Sequence, residues 1–190
     1  MNVVIASNNA HKIKEIKEIL QDKFENLYSL REANINCDPD ENGATFLENA
    51  QIKAREIAKH TNCAVLSDDT GLCVHALGNE PGIFSARYAG EQGNDKLNRE
   101  KLLANLQDKQ DRTAHFETVV VLHYPDGSEI IGIGRVDGHI LHQETGTAGF
   151  GYDSIFFCDD LNKSFGLATD DEKNSVSHRG RALRNLLTKL

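Results

Sequence analysis

Hydrophobic and polar positions alternate between strand-like and helix-like periods along this chain. It opens with a short apolar run at 1–5, and Ile13, Ile16, Ile19 and Leu20 then recur at helical spacing. This pattern predicts a strand, a turn and a helix. Such a unit is typical of proteins in which helices pack on a β-sheet.

The next elements follow from capping and turn signals. Thr45 begins a Thr-x-x-Glu pattern, which predicts a helix from about 46 to 60. The acidic, turn-rich segment at 34–43 is expected to form a loop. The apolar run at 63–66 predicts a buried strand that stops at a Thr-Gly turn.

The second half of the chain predicts further strands and helices. Residues 115–124 and 129–133 flank an Asp-Gly pair and are expected to form a hairpin, and 135–141 to add a strand. A polar-faced helix is expected to follow Asn94. Ser177 can cap a final helix.

Composition and charge narrow the class of protein. With 190 residues, 39% hydrophobic and 26% charged, the chain is expected to form a single α/β domain over 1–190. The formal net charge of −8 argues against a nucleic-acid polymer as partner. No apolar stretch is long enough for a membrane partner, and the N-terminus lacks signal-peptide features, so the expected compartment is cytoplasmic. The scattered cysteines are expected to be reduced thiols rather than zinc ligands.

Two adjacent carboxylates, Asp68 and Asp69, follow the apolar run at 63–66. Unpaired carboxylates repel each other and resist burial, so such a pair needs a cation, a shared proton or water. Mg²⁺ is the cation expected to bind here, because it prefers oxygen ligands and accompanies substrate phosphates. The alternative is a solvated turn in which one aspartate caps the next segment.

The segment between the first strand and the first helix is a candidate phosphate site. Backbone N–H groups and the helix dipole favour an anion there, and a lysine adds positive charge. A plain polar turn is the alternative. The candidate residues are Ser7, Asn8, Asn9, Ala10, His11 and Lys12.

An ordered set of segments resembles the motifs of the inosine triphosphate pyrophosphatase family, also called the Ham1-like family. The segments are 6–12, 45–55, 67–72, 81–90, 149–153 and 177–180. The resemblance implies an elongated mixed β-sheet flanked by helices, with two lobes around a central substrate cleft. It also implies hydrolysis of ITP, dITP and XTP to the monophosphate and pyrophosphate, Mg²⁺ as cofactor, and a homodimer.

The resemblance also implies roles for individual acidic and basic residues. Asp69 is the expected general base, and Glu41, Asp68 and Asp69 are the expected metal ligands, with the division of labour between the two aspartates left open. Lys53 shares a helix face with apolar residues, so it either snorkels to solvent or points at the triphosphate. Taken alone, Glu41 would be a solvated loop acid.

A further group is expected to contact the nucleoside. By resemblance it comprises Thr70, Phe150, Gly151, Tyr152, Asp153, Lys173, His178 and Arg179. An Arg or Lys donor favours a 6-keto purine, because O6 accepts a hydrogen bond where adenine carries an amino group. The aromatic segment also fits a core pair beside a turn. Where the family's phosphate loop has glycines, this chain has Asn8 and His11.

Two other functions are compatible with these motifs. One is a nucleotide-sensing module without turnover, and the other is a pyrophosphatase for other modified nucleoside triphosphates. The presence of Glu41, Lys53, Asp68 and Asp69 together argues against the first. A panel of nucleoside triphosphates assayed for pyrophosphate release separates all three.

Overall fold

A computed structural model describes the whole chain, Met1–Leu190, as a mixed β-sheet flanked by helices. The strands are β1 Asn2–Ile5, β2 Asn26–Ser29, β3 Ala64–Val74, β4 Thr113–His123, β5 Glu129–Ile140, β6 Phe156–Cys158 and β7 Lys163–Ser164. They form one seven-stranded sheet in the order β2-β1-β3-β4-β5-β6-β7. The helices are α1 Ala10–Leu20, α2 Phe46–Ala58, α3 Asp95–Asn105, α4 Asp170–Val176 and α5 His178–Leu187. None of them has the length and apolar composition needed to cross a membrane.

The chain divides into two compact units. The first unit comprises 1–69, 118–134 and 179–190, and the second unit comprises 70–117 and 135–178. Each unit has its own buried apolar residues. The strands β3, β4 and β5 each contribute residues to both units.

Parallel pairing of β1 with β2 and β3 organises the first unit. Val4 of β1 lies opposite Tyr28 on one side and Val65 on the other. Because alternate side chains of a strand point to opposite faces, Val3 and Ile5 pack on one face of the sheet and Val4 on the other. Helices α1 and α5 cover the first of these faces, and α2 covers the second.

The start of α2 confirms half of the expected capping box. The Thr45 hydroxyl accepts a hydrogen bond from the Glu48 backbone N–H at 3.1 Å. The Glu48 carboxylate, however, accepts from the Ala44 N–H at 2.6 Å rather than from Thr45. The helix ends at Ala58, short of the expected residue 60. A complete capping box occurs instead at the start of α4.

The prediction that the strand after residue 63 stops at a Thr-Gly turn was wrong. Strand β3 continues through both aspartates and the Thr-Gly pair to Val74, a length of 11 residues. All of its side chains are buried except the half-buried Thr70. The strand continues because the fold brings partners to both carboxylates: Lys12 and Arg179 to Asp68, and Lys53 and the Asn49 amide to Asp69.

The predicted hairpin is confirmed, with longer strands than expected. The turn is closed by a hydrogen bond from Tyr124 N–H to Ser128 C=O at 2.9 Å, and Gly127 takes a positive φ of 85°. The segments expected as two strands at 129–133 and 135–141 are one strand, β5, of 12 residues. The short strands β2, β6 and β7 were not predicted as strands from the sequence.

Candidate active site

The segment between β1 and α1, expected to bind phosphate, is held by its own side chains. Asn9 is the N-cap of α1, whose first residue is Ala10. The Asn9 Oδ1 accepts hydrogen bonds from the backbone N–H groups of His11 at 2.9 Å and Lys12 at 3.2 Å. The Ser7 hydroxyl in turn accepts from the Asn9 N–H at 3.1 Å. Two of the N–H groups expected to meet an anion are therefore capped, and an anion here would be met mainly by side chains.

Asn8 and His11, which stand where the family pattern has glycines, fit this segment without backbone strain. Neither is among the residues with positive φ. His11 lies in the first turn of α1 with its side chain exposed. The Asn8 amide donates to Asp38 Oδ1 at 3.4 Å, which connects this segment to the acidic loop. The two replacements leave the backbone path intact.

The two aspartates of β3 point to opposite faces of the sheet. Because side chains alternate along a strand, Asp68 lies on the side of Leu66, and Asp69 lies on the side of Val65. Leu66 packs in the cluster with α1 and α5, and Val65 packs in the cluster with α2. Ser67, on the Asp69 side, donates from its hydroxyl to the α2 backbone at 2.6 Å. Neighbours in sequence thus have different surroundings.

Asp68 is enclosed by positive charge. Its Oδ2 lies 3.1 Å from Lys12 Nζ and accepts from Arg179 Nε at 3.2 Å and Nη2 at 3.1 Å. The Arg179 guanidinium also donates to Glu15, and this arginine is only 1% exposed. Burial alone would raise the pKa of Asp68, but Lys12 and Arg179 hold it well below its ordinary value. Asp68 is therefore ionised at neutral pH.

These contacts give Arg179 a different environment from the one expected. Its guanidinium is buried between Asp68 and Glu15 within the first unit. A guanidinium bound to two carboxylates is positioned to orient them rather than to read a base. Burial would lower the pKa of Arg179, and the two carboxylates raise it above its ordinary value.

Asp69 belongs to a separate cluster with Glu41, Lys53 and Asn49. Lys53 Nζ lies 3.2 Å from Glu41 Oε1 and 3.8 Å from Asp69 Oδ1. The Asn49 amide donates to Asp69 Oδ2 at 3.2 Å. Burial raises the pKa of Asp69 to about 6; Lys53 and Lys12 oppose this rise and the negative charge of Glu41 adds to it. Lys53 is buried beside the apolar stripe of α2, so the alternative of a solvated lysine is wrong.

This cluster has the composition of a site for a hard cation. Glu41 and Asp69 supply carboxylate oxygens that converge on one ammonium group. The raised pKa of Asp69 indicates that the positive charge nearby does not fully compensate its ionised form. Mg²⁺ prefers such oxygen ligands and is bound in proteins through one or two carboxylates together with substrate phosphates. Asp68, already held by Lys12 and Arg179, is less suited to this role.

In the second unit, two of the expected nucleoside-binding residues, Asp153 and Lys173, form a buried ion pair. Lys173 Nζ donates to Asp153 Oδ2 at 2.7 Å, and the Phe150 backbone N–H donates to the same oxygen at 2.9 Å. Lys173 Nζ also lies 4.7 Å from the centroid of the Phe150 ring. The pair holds an ammonium group beside a half-buried aromatic ring. Such a group can donate to an acceptor while the ring stacks on a planar ligand.

The turn before Asp153 requires glycine. Gly149 has a φ of 75°, and a Cβ placed on it would lie 2.1 Å from Asp153 Oδ2. Tyr152 is 5% exposed and donates from its hydroxyl to the Ser85 carbonyl at 2.7 Å. Its hydroxyl therefore serves the fold, and burial raises its pKa. Of the two aromatic residues expected to meet the nucleoside, the structure leaves Phe150 as the candidate.

The remaining expected residues lie in the second unit with defined neighbours. His178, the first residue of α5, is buried and stacks on Phe116 with ring centroids 4.6 Å apart. The Gly151 N–H donates to Asp95 Oδ2 at 2.8 Å, and Gly151 has a positive φ of 61°. Thr70 follows Asp69 directly in β3 and is half-buried.

Sequence reasoning missed Glu15 and left Asn49 unassigned. Glu15 lies on α1 and is buried against Arg179. A buried glutamate has no signal in the sequence, because the residue type is usually exposed unless it is paired. Asn49 follows the α2 capping residues, and only the path of the chain brings it to Asp69.

The fold and these clusters define an α/β protein with residues suited to a cation, to phosphate and to a planar ring. The chain matches the model of the Ham1 family over residues 3–189, and it belongs to that family. It is 49% identical to the dITP/XTP pyrophosphatase of Clostridium perfringens, covering 96% of this chain and 94% of the relative. It is 43% identical to the protein of the same name from Bacillus subtilis, covering 96% and 93%.

Solved structures of the family share the fold. The Ham1 protein of Staphylococcus aureus superposes with a TM-score of 0.88 at 40% identity, covering 100% of this chain and 97% of that one. A HAM1 protein from Coxiella burnetii gives a TM-score of 0.89 at 38% identity, with 100% of both chains covered. The expected mixed sheet flanked by helices is confirmed by these matches.

Proposed function

We propose that this protein hydrolyses ITP, dITP and XTP to the nucleoside monophosphate and pyrophosphate, and so removes non-standard purines from the nucleotide pool. The observation that carries the proposal is the cluster in which Glu41 and Asp69 converge on Lys53. The name dITP/XTP pyrophosphatase, borne by relatives similar over nearly the whole chain, supports the choice of substrate.

Glu41 and Asp69 are the residues that would hold a divalent cation, for which Mg²⁺ is our choice. The bound ion would neutralise charge on the phosphate oxygens. Asp68 takes a different part: ionised between Lys12 and Arg179, it fixes the Lys12 ammonium group at the start of α1. This assignment separates the roles that the sequence left open between the two aspartates.

The reaction requires a base and stabilisation of the developing negative charge. Water attacks the α-phosphorus, the bond from that phosphorus to the bridging oxygen breaks, and pyrophosphate leaves. Asp69, whose carboxylate lies beside Lys53 and the Asn49 amide, accepts the proton of the attacking water. Lys53 and Lys12 stabilise the negative charge on the phosphate oxygens.

Residues of the second unit recognise the purine base of the substrate. The Lys173 ammonium group, oriented by Asp153, donates to O6 of a 6-keto purine, and Phe150 stacks on the ring. His178 can offer a donor or an acceptor according to its tautomer, so it discriminates less between a keto and an amino group. Arg179 orients Asp68 and does not contact the purine. The homodimer, the cytoplasmic location and a single catalytic domain over 1–190 stay predictions.

The test is a panel of ITP, dITP, XTP, ATP, GTP and modified pyrimidine triphosphates with Mg²⁺, assayed for pyrophosphate release. We expect kcat/KM to be highest for the first three. Lys53→Met should lower kcat for ITP by roughly 100-fold or more, because it removes a buried charge at the phosphates. Lys14→Met is the matched control, since Lys14 is an exposed lysine of the first unit. Binding without turnover would favour the sensing module, and a preference for modified pyrimidines would favour the other pyrophosphatase.

A further inference from the structure

Cys37, Glu56 and His60 form a group of metal-ligating side chains outside the clusters described above. One ligand atom of each, the thiol sulfur, a carboxylate oxygen and a ring nitrogen, lies within 4.8 Å of the other two. All three residues belong to the first unit. Cys37 and Glu56 are half-buried and His60 is exposed, so an ion can reach the group from solvent.

Two of the three ligands are held by the end of α2. Glu56 and His60 are one helical turn apart, a spacing that places their side chains on the same side of the chain. The His60 N–H donates to the Ile57 carbonyl at 3.0 Å, which continues the turn beyond the helix end. Ile57 is fully buried and anchors this turn in the core. The third ligand, Cys37, comes from the loop that precedes α2.

We propose that this group is a Zn²⁺ site with water in the fourth position. Thiolate, imidazole and carboxylate are the ligands of zinc, whereas Mg²⁺ is bound through oxygen. Zinc bonds of about 2.0–2.3 Å place tetrahedral ligands roughly 3.5 Å apart. The ligand atoms are separated by up to 4.8 Å, so they must approach one another by about 1 Å to bind the ion. Rotation of the side chains can supply this movement. Scattered cysteines gave no sign of zinc in the sequence, because the partners of Cys37 are not cysteines.

Zinc at this position would fasten the acidic loop to α2. The loop that contains Cys37 also carries Asp38 and Glu41, which contact Asn8 and Lys53 respectively. It has no regular secondary structure between these contacts. A bound ion adds one more attachment, at the opposite end of α2 from the helix start. The site stands independently of the proposed hydrolysis, since its ligands are not those of the candidate active site.

One neighbouring cation competes for the site. Lys59 Nζ lies 2.5 Å from Glu56 Oε2, so its ammonium group competes with a metal ion for the Glu56 carboxylate. Removing this lysine should therefore tighten zinc binding, an effect that has no reason to occur if the three residues merely pack together. Lys59 is exposed, and Lys59→Ala is not expected to perturb the fold.

The experiment uses the full, reduced chain with Mg²⁺ in large excess, so that Mg²⁺ competes with the added metal for the carboxylate cluster. Co²⁺ is titrated first, because a thiolate ligand gives it a charge-transfer absorption that carboxylates do not give. Zn²⁺ is then titrated by displacement of Co²⁺. We expect one equivalent to bind with the thiolate band, and Cys37→Ser and His60→Ala each to weaken Zn²⁺ binding by at least about tenfold.

Two controls make the test specific. Cys63→Ser removes another half-buried thiol of the first unit and should leave Zn²⁺ affinity unchanged. Lys59→Ala should raise the affinity. The proposal is overturned if Co²⁺ gives no thiolate band, if Cys63→Ser loses the band as fully as Cys37→Ser does, or if His60→Ala, an exposed change with no folding cost, binds Zn²⁺ as tightly as the wild type.

Discussion

Asp68 and Asp69 have opposite environments, so we predict that replacing each with asparagine changes the free energy of unfolding in opposite directions. Burial raises the pKa of Asp69 to about 6 from an ordinary 3.8. A group with a raised folded-state pKa contributes stability that is fully present below its unfolded pKa and is lost as pH rises through the folded value. Asp69 therefore destabilises the metal-free protein above about pH 6.

The magnitude follows from the size of the shift. A pKa raised from 3.8 to about 6 corresponds to a loss of about 3 kcal/mol of stability at a pH well above both values. Asp69→Asn keeps the size of the side chain and removes its charge, so it should raise the free energy of unfolding at pH 8 by up to about 3 kcal/mol. The gain should shrink as pH falls and vanish near pH 4, where Asp69 is protonated in the folded protein. The same substitution should lower kcat for ITP by roughly 100-fold or more, because the base is lost.

Asp68→Asn is the matched control, because the pKa of Asp68 is lowered in the folded protein. Its contribution to stability is present above the unfolded pKa and is lost as pH falls through the folded one. The substitution leaves the buried Arg179 with less negative charge around it. Breaking a buried pair in this way costs about 3–5 kcal/mol, so Asp68→Asn should lower stability at pH 8.

The assay is urea unfolding of the wild type and both variants at pH 4, 6 and 8 with a chelator, followed by pyrophosphate release with Mg²⁺. At pH 8 we expect Asp69→Asn to be more stable than the wild type and Asp68→Asn to be less stable. The stability gained by Asp69→Asn should decline toward pH 4. If Asp69→Asn is less stable than the wild type at pH 8, burial does not destabilise the ionised carboxylate of Asp69. If its kcat is near normal at saturating Mg²⁺, Asp69 is not the base.

Three further outcomes follow from the same contacts. Arg179→Ala should lower the free energy of unfolding by about 3–5 kcal/mol. It should also reduce kcat/KM for ITP and ATP alike, because the arginine orients Asp68. A loss of activity confined to ITP would show instead that Arg179 contacts the purine base. Lys173→Met should lower kcat/KM for ITP by roughly 10- to 100-fold and barely change that for ATP, since only a 6-keto purine accepts its hydrogen bond; equal losses for both substrates would contradict this role. Gly149→Ala should reduce ITP affinity through displacement of Asp153, which isothermal titration would detect; unchanged affinity would show that the turn tolerates a Cβ.

The sequence by itself determined the elements with strong local signals. The apolar stripe of α1, the Thr45 cap of α2 and the Asp-Gly hairpin each depend on residues close in the chain. The face of α2 that carries Lys53 also follows from helical spacing. The ordered motifs indicated the family, because each keeps its residue types at a fixed local spacing.

Only the tertiary structure decided what surrounds the buried charges. Locally, Asp68-Asp69-Thr70-Gly71 has the composition of a turn, yet it lies within β3 because distant side chains satisfy its carboxylates. Arg179 follows His178 in sequence, but its guanidinium is buried on Asp68 and Glu15, a pairing across more than half of the chain. A residue's type fixes the charge that it brings, whereas its pKa and its role depend on partners that only the folded path of the backbone supplies.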